Sequence, residues 1–347
     1  YILRNRNSDI ILASVGKREM IWKAACDIKS TRRMEVAMMK KTKAVFMASV
    51  MAVMFLSGCQ SKSVSNGRVN IYYAAIESGD YYEGWADQLK EQAQKQGADF
   101  EVGYAEKSIE TQAAQIKSAA EDSSVILCGP VSADIVSELK AAAKDTPIVF
   151  INNAPDDSQL EKDRYIYVAS DEYMAGQYQA EYILQQYAGR DEINVAILKG
   201  PRDASGAVGR TNGLKKTLKA SGKKINYVFE DYAGWSSDTA KEFMEMFLKT
   251  GSPVDCVAAN NDDMALGAAE AFEEAGYDMD SVLFLGVDAS EGGCQGIVDG
   301  RMDFTVYQPM SSQIAAAVEA AVKLSGGESV AEIDCASEDG KYILLPF

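Results

Sequence analysis

The fold is indicated by one stretch of the chain, Val257-Ala258-Ala259-Asn260-Asn261-Asp262-Asp263-Met264-Ala265-Leu266-Gly267-Ala268. Its first part lies in the apolar run 254–258, which predicts a buried strand. Its second part opens the segment 263–275, whose apolar residues recur at helical spacing. A buried strand that leads through a short polar turn into an amphipathic helix is the repeating unit of a parallel sheet, so we predict an α/β protein.

The same unit recurs in two series along the chain. The predicted strands of the first series are 69–75, 99–104, 124–127, 148–152 and 166–168. Those of the second series are 193–198, 225–229, 254–258, 282–287 and 304–307. Two series in tandem predict two doubly wound parallel-sheet lobes, and a chain of 347 residues is long enough for two such cores.

The series also predict where the chain passes between the lobes. We expect three hinge crossings, near Asp171, Gln308 and Ser337. The first lobe then contains residues 68–170 and 309–336, and the second contains residues 171–308 and 337–347. Pro309 fits a crossing because proline stiffens the chain and lacks a backbone donor.

The N-terminal region has the composition of an export signal. The basic residues of Met39-Lys40-Lys41-Thr42-Lys43 precede an apolar run at 44–56 that is short for a membrane span. The run ends in Leu56-Ser57-Gly58-Cys59, which resembles a bacterial lipobox. We therefore expect a lipoprotein signal peptide at 38–58, a lipid on Cys59 and a polar tether at 59–67. Residues 1–37 precede this signal and are interpreted as mis-assigned upstream sequence.

Charge and composition narrow the range of functions. The chain has 51 acidic and 35 basic residues, a net charge of −16, and its basic residues concentrate before Cys59. An acidic exported domain repels phosphate backbones, so nucleic acid is not expected as a partner. Cys128, Cys256, Cys294 and Cys335 lack the C-x-x-C spacing of a metal site, so we expect neither a metal nor a cofactor and leave the redox state of these cysteines open.

Polar and aromatic residues follow successive predicted strands. In open α/β sheets, ligands bind outside the carboxyl ends of the strands. Aromatic rings stack on the C–H faces of sugars, while amide, carboxylate and guanidinium groups bind their hydroxyls. The candidate ligand-binding residues are Tyr81, Tyr82, Asn152, Asn153, Asp203, Arg210, Trp235, Asn261, Asp288 and Gln308.

These passages identify a family resemblance. The chain from Val69 to about Gly327 resembles the ribose- and galactose/glucose-binding proteins of bacterial sugar uptake systems. It does so most closely in the opening stretch quoted above, in Leu285-Gly286-Val287-Asp288 and in 232–240. The resemblance implies the type I periplasmic-binding-protein fold, a monosaccharide held between two lobes and delivery to the permease of an ABC transporter. Together with the lipobox it leads us to expect a monomeric, membrane-anchored receptor outside the cytoplasm.

The resemblance also implies roles for single residues. Tyr81 or Tyr82 and Trp235 would sandwich the sugar ring, and hydrogen bonds to its hydroxyls would come from Asn152, Arg210, Asn261, Asp288 and Gln308. Ribose receptors carry Asp-Arg where this chain has Asn152-Asn153, and the chain lacks the histidine and the calcium loop found on the galactose/glucose side. The identity of the sugar, hexose or pentose, stays open, and polyols and nucleosides are further candidates.

Three other functions are compatible with parts of the sequence. A glycoside-acting enzyme could use Asp203 and Asp288, but the absence of histidine excludes a Ser-His-Asp mechanism. Repressor cores share the Asn-Asp motif, yet they carry a helix-turn-helix where this chain has an export signal. A sensory receptor that presents its ligand to a chemotaxis or kinase partner is the main alternative to transport. We expect a binding protein rather than an enzyme.

Overall fold

The computed structural model describes residues 2–3, 11–12 and 68–347. The predicted signal peptide, Cys59 and the tether lie outside these residues. Within the described ranges, no helix is both long and apolar enough to cross a bilayer.

The described strands include the ten of the two predicted series and three that neither series contains. In chain order they are β1 (Ile2–Leu3), β2 (Ile11–Leu12), β3 (Asn70–Ala75), β4 (Asp99–Tyr104), β5 (Val125–Cys128), β6 (Ile148–Phe150), β7 (Tyr165–Ser170), β8 (Glu192–Lys199), β9 (Lys224–Tyr232), β10 (Cys256–Ala259), β11 (Leu283–Asp288), β12 (Phe304–Tyr307) and β13 (Tyr342–Leu345).

Helices alternate with these strands. They are α1 (Asp80–Lys95), α2 (Ile109–Asp122), α3 (Val136–Ala143), α4 (Glu172–Gln186), α5 (Ser205–Ala220), α6 (Ser237–Leu248), α7 (Asp262–Glu274), α8 (Glu291–Val298) and α9 (Met310–Ser325).

The strands form two sheets, one for each lobe. The first lobe has the parallel order β13-β7-β6-β5-β3-β4. The second has the parallel order β12-β11-β10-β8-β9, and β1 and β2 add to its β12 edge in antiparallel pairing. Apolar cores lie on both faces of each sheet, so both lobes are doubly wound, as predicted.

Capping residues place polar groups at the carboxyl edge of the second sheet. The side chains of Ser236, Asn261 and Ser290 each accept a hydrogen bond from a backbone N–H in the first turn of α6, α7 and α8. Such caps satisfy backbone donors that the helix itself leaves free. Each capping residue lies in the loop after a strand, so helix initiation and the candidate site occupy the same edge.

The C-terminal segment differs from the predicted boundary. Residues 337–347 were assigned to the second lobe with a crossing near Ser337, but β13 pairs in parallel with β7 in the sheet of the first lobe. Ile343 is fully buried in the first-lobe core, which explains why this strand stays there. Only the chain end reaches across, since Phe347 packs against a second-lobe core.

Candidate ligand-binding site

The loops after the strands of the two lobes meet at a cleft. On the second lobe, the guanidinium of Arg210 is buried and forms the centre of the site. Its Nε donates to Glu172 Oε2 at 2.6 Å. Its Nη1 donates to the backbone carbonyl of Asn260 at 2.6 Å and to Asp288 Oδ1 at 3.3 Å. Burial acts to lower the pKa of Arg210, but the charges of Glu172 and Asp288 outweigh it and raise that pKa. The guanidinium is therefore a permanent cation held between two carboxylates.

Asp288 is the member of this group that faces the cleft. Its side chain is 30% exposed, whereas that of Glu172 is 14% exposed. Burial raises the pKa of Asp288 to about 7, although Arg210 acts to lower it. Asp288 and Ala289 have φ angles of 118° and 49°, a strained backbone that persists only where its surroundings hold it.

Asp262 supplies that support. Its buried carboxylate accepts hydrogen bonds from Ser290 N at 2.8 Å, Ser290 Oγ at 3.0 Å and Thr305 Oγ1 at 2.6 Å. Thr305 Oγ1 in turn accepts from Ala289 N at 3.1 Å. Burial raises the pKa of Asp262 to about 6, against these hydrogen bonds. The carboxylate thus fixes the loop that carries Asp288.

Trp235 forms an aromatic wall beside the ion cluster. Its ring packs over Gly200 at the end of β8, where an added Cβ would come within 2.3 Å of the indole. The ring centroid lies 5.8 Å from the Arg210 guanidinium carbon, within cation–π range. The backbone of Trp235 has a φ of 68°, unusual for a large residue. A flat apolar surface therefore stands next to a charged hydrogen-bonding group.

The first lobe contributes uncharged groups. Tyr81 and Tyr82 pack edge to face with ring centroids 5.1 Å apart, and Asn152 Nδ2 makes a long contact of 3.5 Å to the Tyr81 hydroxyl. Burial of that hydroxyl raises the pKa of Tyr81, and the charge of Asp288 in the other lobe raises it further. The residue as a whole is 45% exposed. Asn152 Oδ1 is buried without a hydrogen-bond partner among the described residues and lies close to Gly129, after the end of β5.

The other predicted residues take varied positions. Asn153 Nδ2 donates to the carbonyl of Pro130 at 3.1 Å, within the first lobe. Asn261 Oδ1 accepts from the backbone N–H of Met264 at 3.0 Å and so caps α7. The backbone N–H of Gln308 donates to the backbone carbonyl of Asp288 at 3.3 Å, which places Gln308 at the hinge beside the ion cluster. Asp203 is exposed in the loop before α5, and no hydrogen bond joins it to the other candidates within the described residues.

Sequence reasoning missed Glu172. This carboxylate follows β7 directly, beside the predicted hinge residue Asp171. A search of every strand end for polar residues would have included it, because the end of β7 lies on the same edge as the others. Its ion pair with Arg210, however, spans 38 positions and depends on the packing of α4 against α5.

The described cysteines and acidic residues form no metal site. Cys128, Cys256, Cys294 and Cys335 are free thiols, of which Cys128 and Cys256 are buried. No group of three or more potential metal ligands occurs in the described part of the chain.

The two-lobed fold, with an ionic and aromatic cleft between the lobes, defines a solute-binding protein of the periplasmic type. The chain belongs to the periplasmic binding protein domain family, whose model matches residues 71–329. This family binds ligands and is not enzymatic, so the prediction of a binding protein is confirmed.

Individual relatives are similar over most of the described chain. A putative rhizopine-binding protein of Rhizobium meliloti is 30% identical over 67% of this chain and 76% of its own length. A xylitol-binding protein of Mycolicibacterium smegmatis is 30% identical over 65% of this chain and 63% of its own length. A solved ABC transporter solute-binding protein from Bacillus halodurans with bound myo-inositol is 26% identical, has a TM-score of 0.69 and aligns over 82% of this chain and 94% of its own.

Proposed function

We propose that this protein is the extracytoplasmic receptor of an ABC importer and binds a small polyhydroxy compound, a monosaccharide or a cyclic polyol. The observation that carries the proposal is the composition of the cleft. Trp235 offers a stacking face, Arg210 and Asp288 offer a donor and an acceptor beside it, and Asn152 Oδ1 offers a buried acceptor from the opposite lobe. Ring hydroxyls, which both donate and accept, match this set.

The cleft also supports a mechanism of capture. A ligand that contacts Asn152 and Tyr81 on one lobe and Arg210, Trp235 and Asp288 on the other binds the closed arrangement better than the open one. That difference in affinity shifts the population towards closure about the hinge crossings. The closed protein is then the form that the permease recognises.

The relatives support the ligand class and the location. The name of the xylitol-binding relative and the myo-inositol bound in the solved structure indicate polyols, which lack a carbonyl group, and a further relative is named for binding rhizopine. Other relatives are named as galactose-binding periplasmic and ribose import binding proteins. We propose polyols alongside aldoses for this reason, with hexoses and pentoses both retained.

The lipid anchor forms a separate part of the proposal. Leu56-Ser57-Gly58-Cys59 supports cleavage before Cys59 and lipidation of its thiol, which would hold a monomeric receptor at the membrane near its permease. Metabolic labelling with a radioactive fatty acid tests this part alone, and a Cys59→Ser variant that still incorporates the label would contradict it.

A ligand screen tests the function. The purified protein is heated with monosaccharides, cyclic and linear polyols and nucleosides, and the unfolding midpoint is recorded. A ligand at 100 times its dissociation constant stabilises the folded state by about 2.7 kcal/mol, which gives a clear rise in the midpoint. We expect one polyhydroxy ligand to produce this rise and to be recovered unaltered.

Trp235 provides the matched variants. Trp235→Ala should weaken that ligand about 100-fold because it removes the stacking face, whereas Trp235→Phe keeps a flat ring and should lose much less. Stabilisation that is equal in all three proteins would place the ligand elsewhere. A folded protein that no polyhydroxy compound stabilises would refute the proposed ligand class.

A further inference from the structure

Ser205 makes hydrogen bonds across the cleft. It is the first residue of α5 in the second lobe and follows the exposed loop after β8. Its Oγ donates to the backbone carbonyl of Asn152 at 3.2 Å and accepts from the backbone N–H of Ala154 at 3.1 Å. One hydroxyl therefore bonds to both ends of residues 152–154 of the first lobe, which we call the clasped segment.

The clasped segment is the part of the first lobe that presents Asn152. Asn152 has a φ of 62°, in the left-handed region that residues with a side chain occupy at a cost. Its carbonyl also accepts from the Tyr167 hydroxyl at 3.3 Å, a bond within the first lobe. Asn153 adds two more bonds within the first lobe, since its backbone N–H donates to the Ile151 carbonyl at 2.8 Å and its Nδ2 donates to the Pro130 carbonyl at 3.1 Å. Ser205 adds two hydrogen bonds from the second lobe. The conformation of the clasped segment, and with it the position of the buried Asn152 Oδ1, is supported from both sides of the cleft.

The helix that carries Ser205 is fixed to the hinge. Glycines bring α4 and α5 into backbone contact: an added Cβ at Gly176 would lie 1.8 Å from the Arg210 carbonyl, and one at Gly213 would lie 2.0 Å from the Tyr173 carbonyl. The α4 helix begins directly after the crossing at Asp171. Ser205, Arg210 and Glu172 therefore belong to one rigid helix pair that moves with the second lobe.

We propose that Ser205 is a positioning residue that latches the closed cleft and sets the geometry of Asn152 towards the ligand. The inference rests on the proposed function for its role in binding, while the contact itself is independent of the ligand. When the lobes open, both bonds to Ser205 are lost and water replaces them. Closure then restores them at the moment when Asn152 meets the ligand, so capture and site assembly are one step.

The latch has a quantitative consequence. In a receptor whose binding-competent state is only partly populated, the apparent dissociation constant equals the intrinsic dissociation constant divided by the populated fraction. A net hydrogen bond contributes a modest free energy, so two such bonds together change the closed population, and hence the apparent dissociation constant, by about tenfold.

The first experiment tests the contact in protein without ligand. Ala154→Cys and Ser205→Cys are introduced together in a background where Cys294 and Cys335 are replaced by serine, and the protein is oxidised gently. Ala154→Cys with Ser237→Cys is the control, because Ser237 is the first residue of α6 in the same lobe. We expect an intramolecular disulfide to form faster in the first pair than in the control. In solution scattering, the cross-linked protein should have a smaller radius of gyration than the same protein before oxidation. Equal cross-linking in the two pairs would overturn the latch.

The second experiment tests the effect on binding. Ser205→Ala, Ser205→Thr and Ser237→Ala are compared by calorimetry and stopped flow, with myo-inositol, xylitol and D-ribose as probes. For the probe that binds, we expect Ser205→Ala to raise the dissociation constant about tenfold, with an unchanged unfolding midpoint in the absence of ligand. Ser205→Thr keeps the hydroxyl and should bind more tightly than Ser205→Ala, and Ser237→Ala should match the wild type.

The outcomes separate the two proposals. An unchanged dissociation constant in Ser205→Ala, or a lowered midpoint without ligand that accounts for the whole effect, would overturn the positioning role. If none of the three probes binds, the comparison is repeated with the compound that gives the largest rise in the thermal screen, and the cross-linking result decides independently whether Ser205 latches the lobes.

Discussion

The two lobes share one scaffold and differ in how they equip the cleft. In each lobe a buried glutamine joins the carboxyl ends of two strands. Gln112 Nε2 donates to the carbonyls of Gly129 at 2.8 Å and Ala74 at 3.4 Å, and Gln179 Nε2 donates to those of Ala259 at 2.8 Å and Gly286 at 3.1 Å. Both devices hold the strand ends from which the binding loops emerge.

The loops themselves carry different chemistry. The second lobe presents the ion cluster Glu172, Arg210 and Asp288, in which the cation is buried, whereas the contacts from the first lobe come from the uncharged Tyr81 and Asn152. Buried ions depend on one another, because loss of one leaves another unpaired. We therefore expect ligand binding and stability to be coupled in the second lobe and separable in the first, and three predictions test this contrast.

The largest effect is expected from Arg210→Met. The substitution leaves Glu172 and Asp288 without their shared cation and should lower the free energy of unfolding by about 3–5 kcal/mol, measured by urea denaturation. Asn152→Gly in the first lobe suits a φ of 62° and should change stability by less than about 1 kcal/mol while weakening ligand binding.

Arg301→Met is the control for charge removal. Arg301 pairs with Glu273 at 3.1 Å on the surface of the second lobe, where such pairs contribute about 1 kcal/mol or less. If Arg210→Met and Arg301→Met cost the same, the ion cluster would not be the coupled unit that the contrast requires.

A smaller effect on stability is expected when a glycine is replaced by alanine in a helix of each lobe. Gly176→Ala would drive a methyl group against the Arg210 carbonyl and should destabilise the protein by about 1–3 kcal/mol through separation of α4 and α5. Gly84→Ala lies in α1 of the first lobe, where an added Cβ meets nothing within 4 Å, and should stabilise by about 0.5–1 kcal/mol. Thermal and urea unfolding of both variants check the opposite signs. Equal destabilisation would show that the spacing of α4 and α5 is not special.

The smallest effect is expected in the dependence of stability on pH. The pKa of Asp288 is about 7 in the folded protein and near 4 in an unfolded chain, so between these values only the folded state holds the proton. The stability contributed by this group is therefore full below about pH 4, declines as the pH rises, and is lost above about pH 7. Asp288→Asn should gain stability relative to the wild type from pH 5 to pH 8.

The first lobe supplies the comparison for this titration. The aromatic residues near the cleft do not ionise in that range, since burial raises the pKa of Tyr82 to about 12. The stability difference between Asn152→Gly and the wild type should thus stay constant from pH 5 to pH 8. A constant difference for Asp288→Asn as well would mean that Asp288 is already charged at pH 5.

Much of the site could be read from the order of residues because parallel strands present their carboxyl ends on one edge. Arg210, Trp235, Asp288 and Asn152 were selected on that rule, and the structure groups them around the cleft. The rule does not resolve distance along the edge, so it also selected Asp203, which lies exposed outside the hydrogen-bonded group. Nor does it show that the Asn261 oxygen is engaged in capping α7.

The two series of strands and helices follow from the order of residues, because burial periodicity and turn residues are local properties of the chain. The family also follows from it, through passages at three strand ends. The pairing of β13 with β7, the ion pair of Glu172 with Arg210 and the contact of Ser205 with Asn152 emerge only when the chain is folded. These pairings join residues 38 to 175 positions apart, and they depend on how glycine-lined helices and whole lobes pack rather than on any local preference.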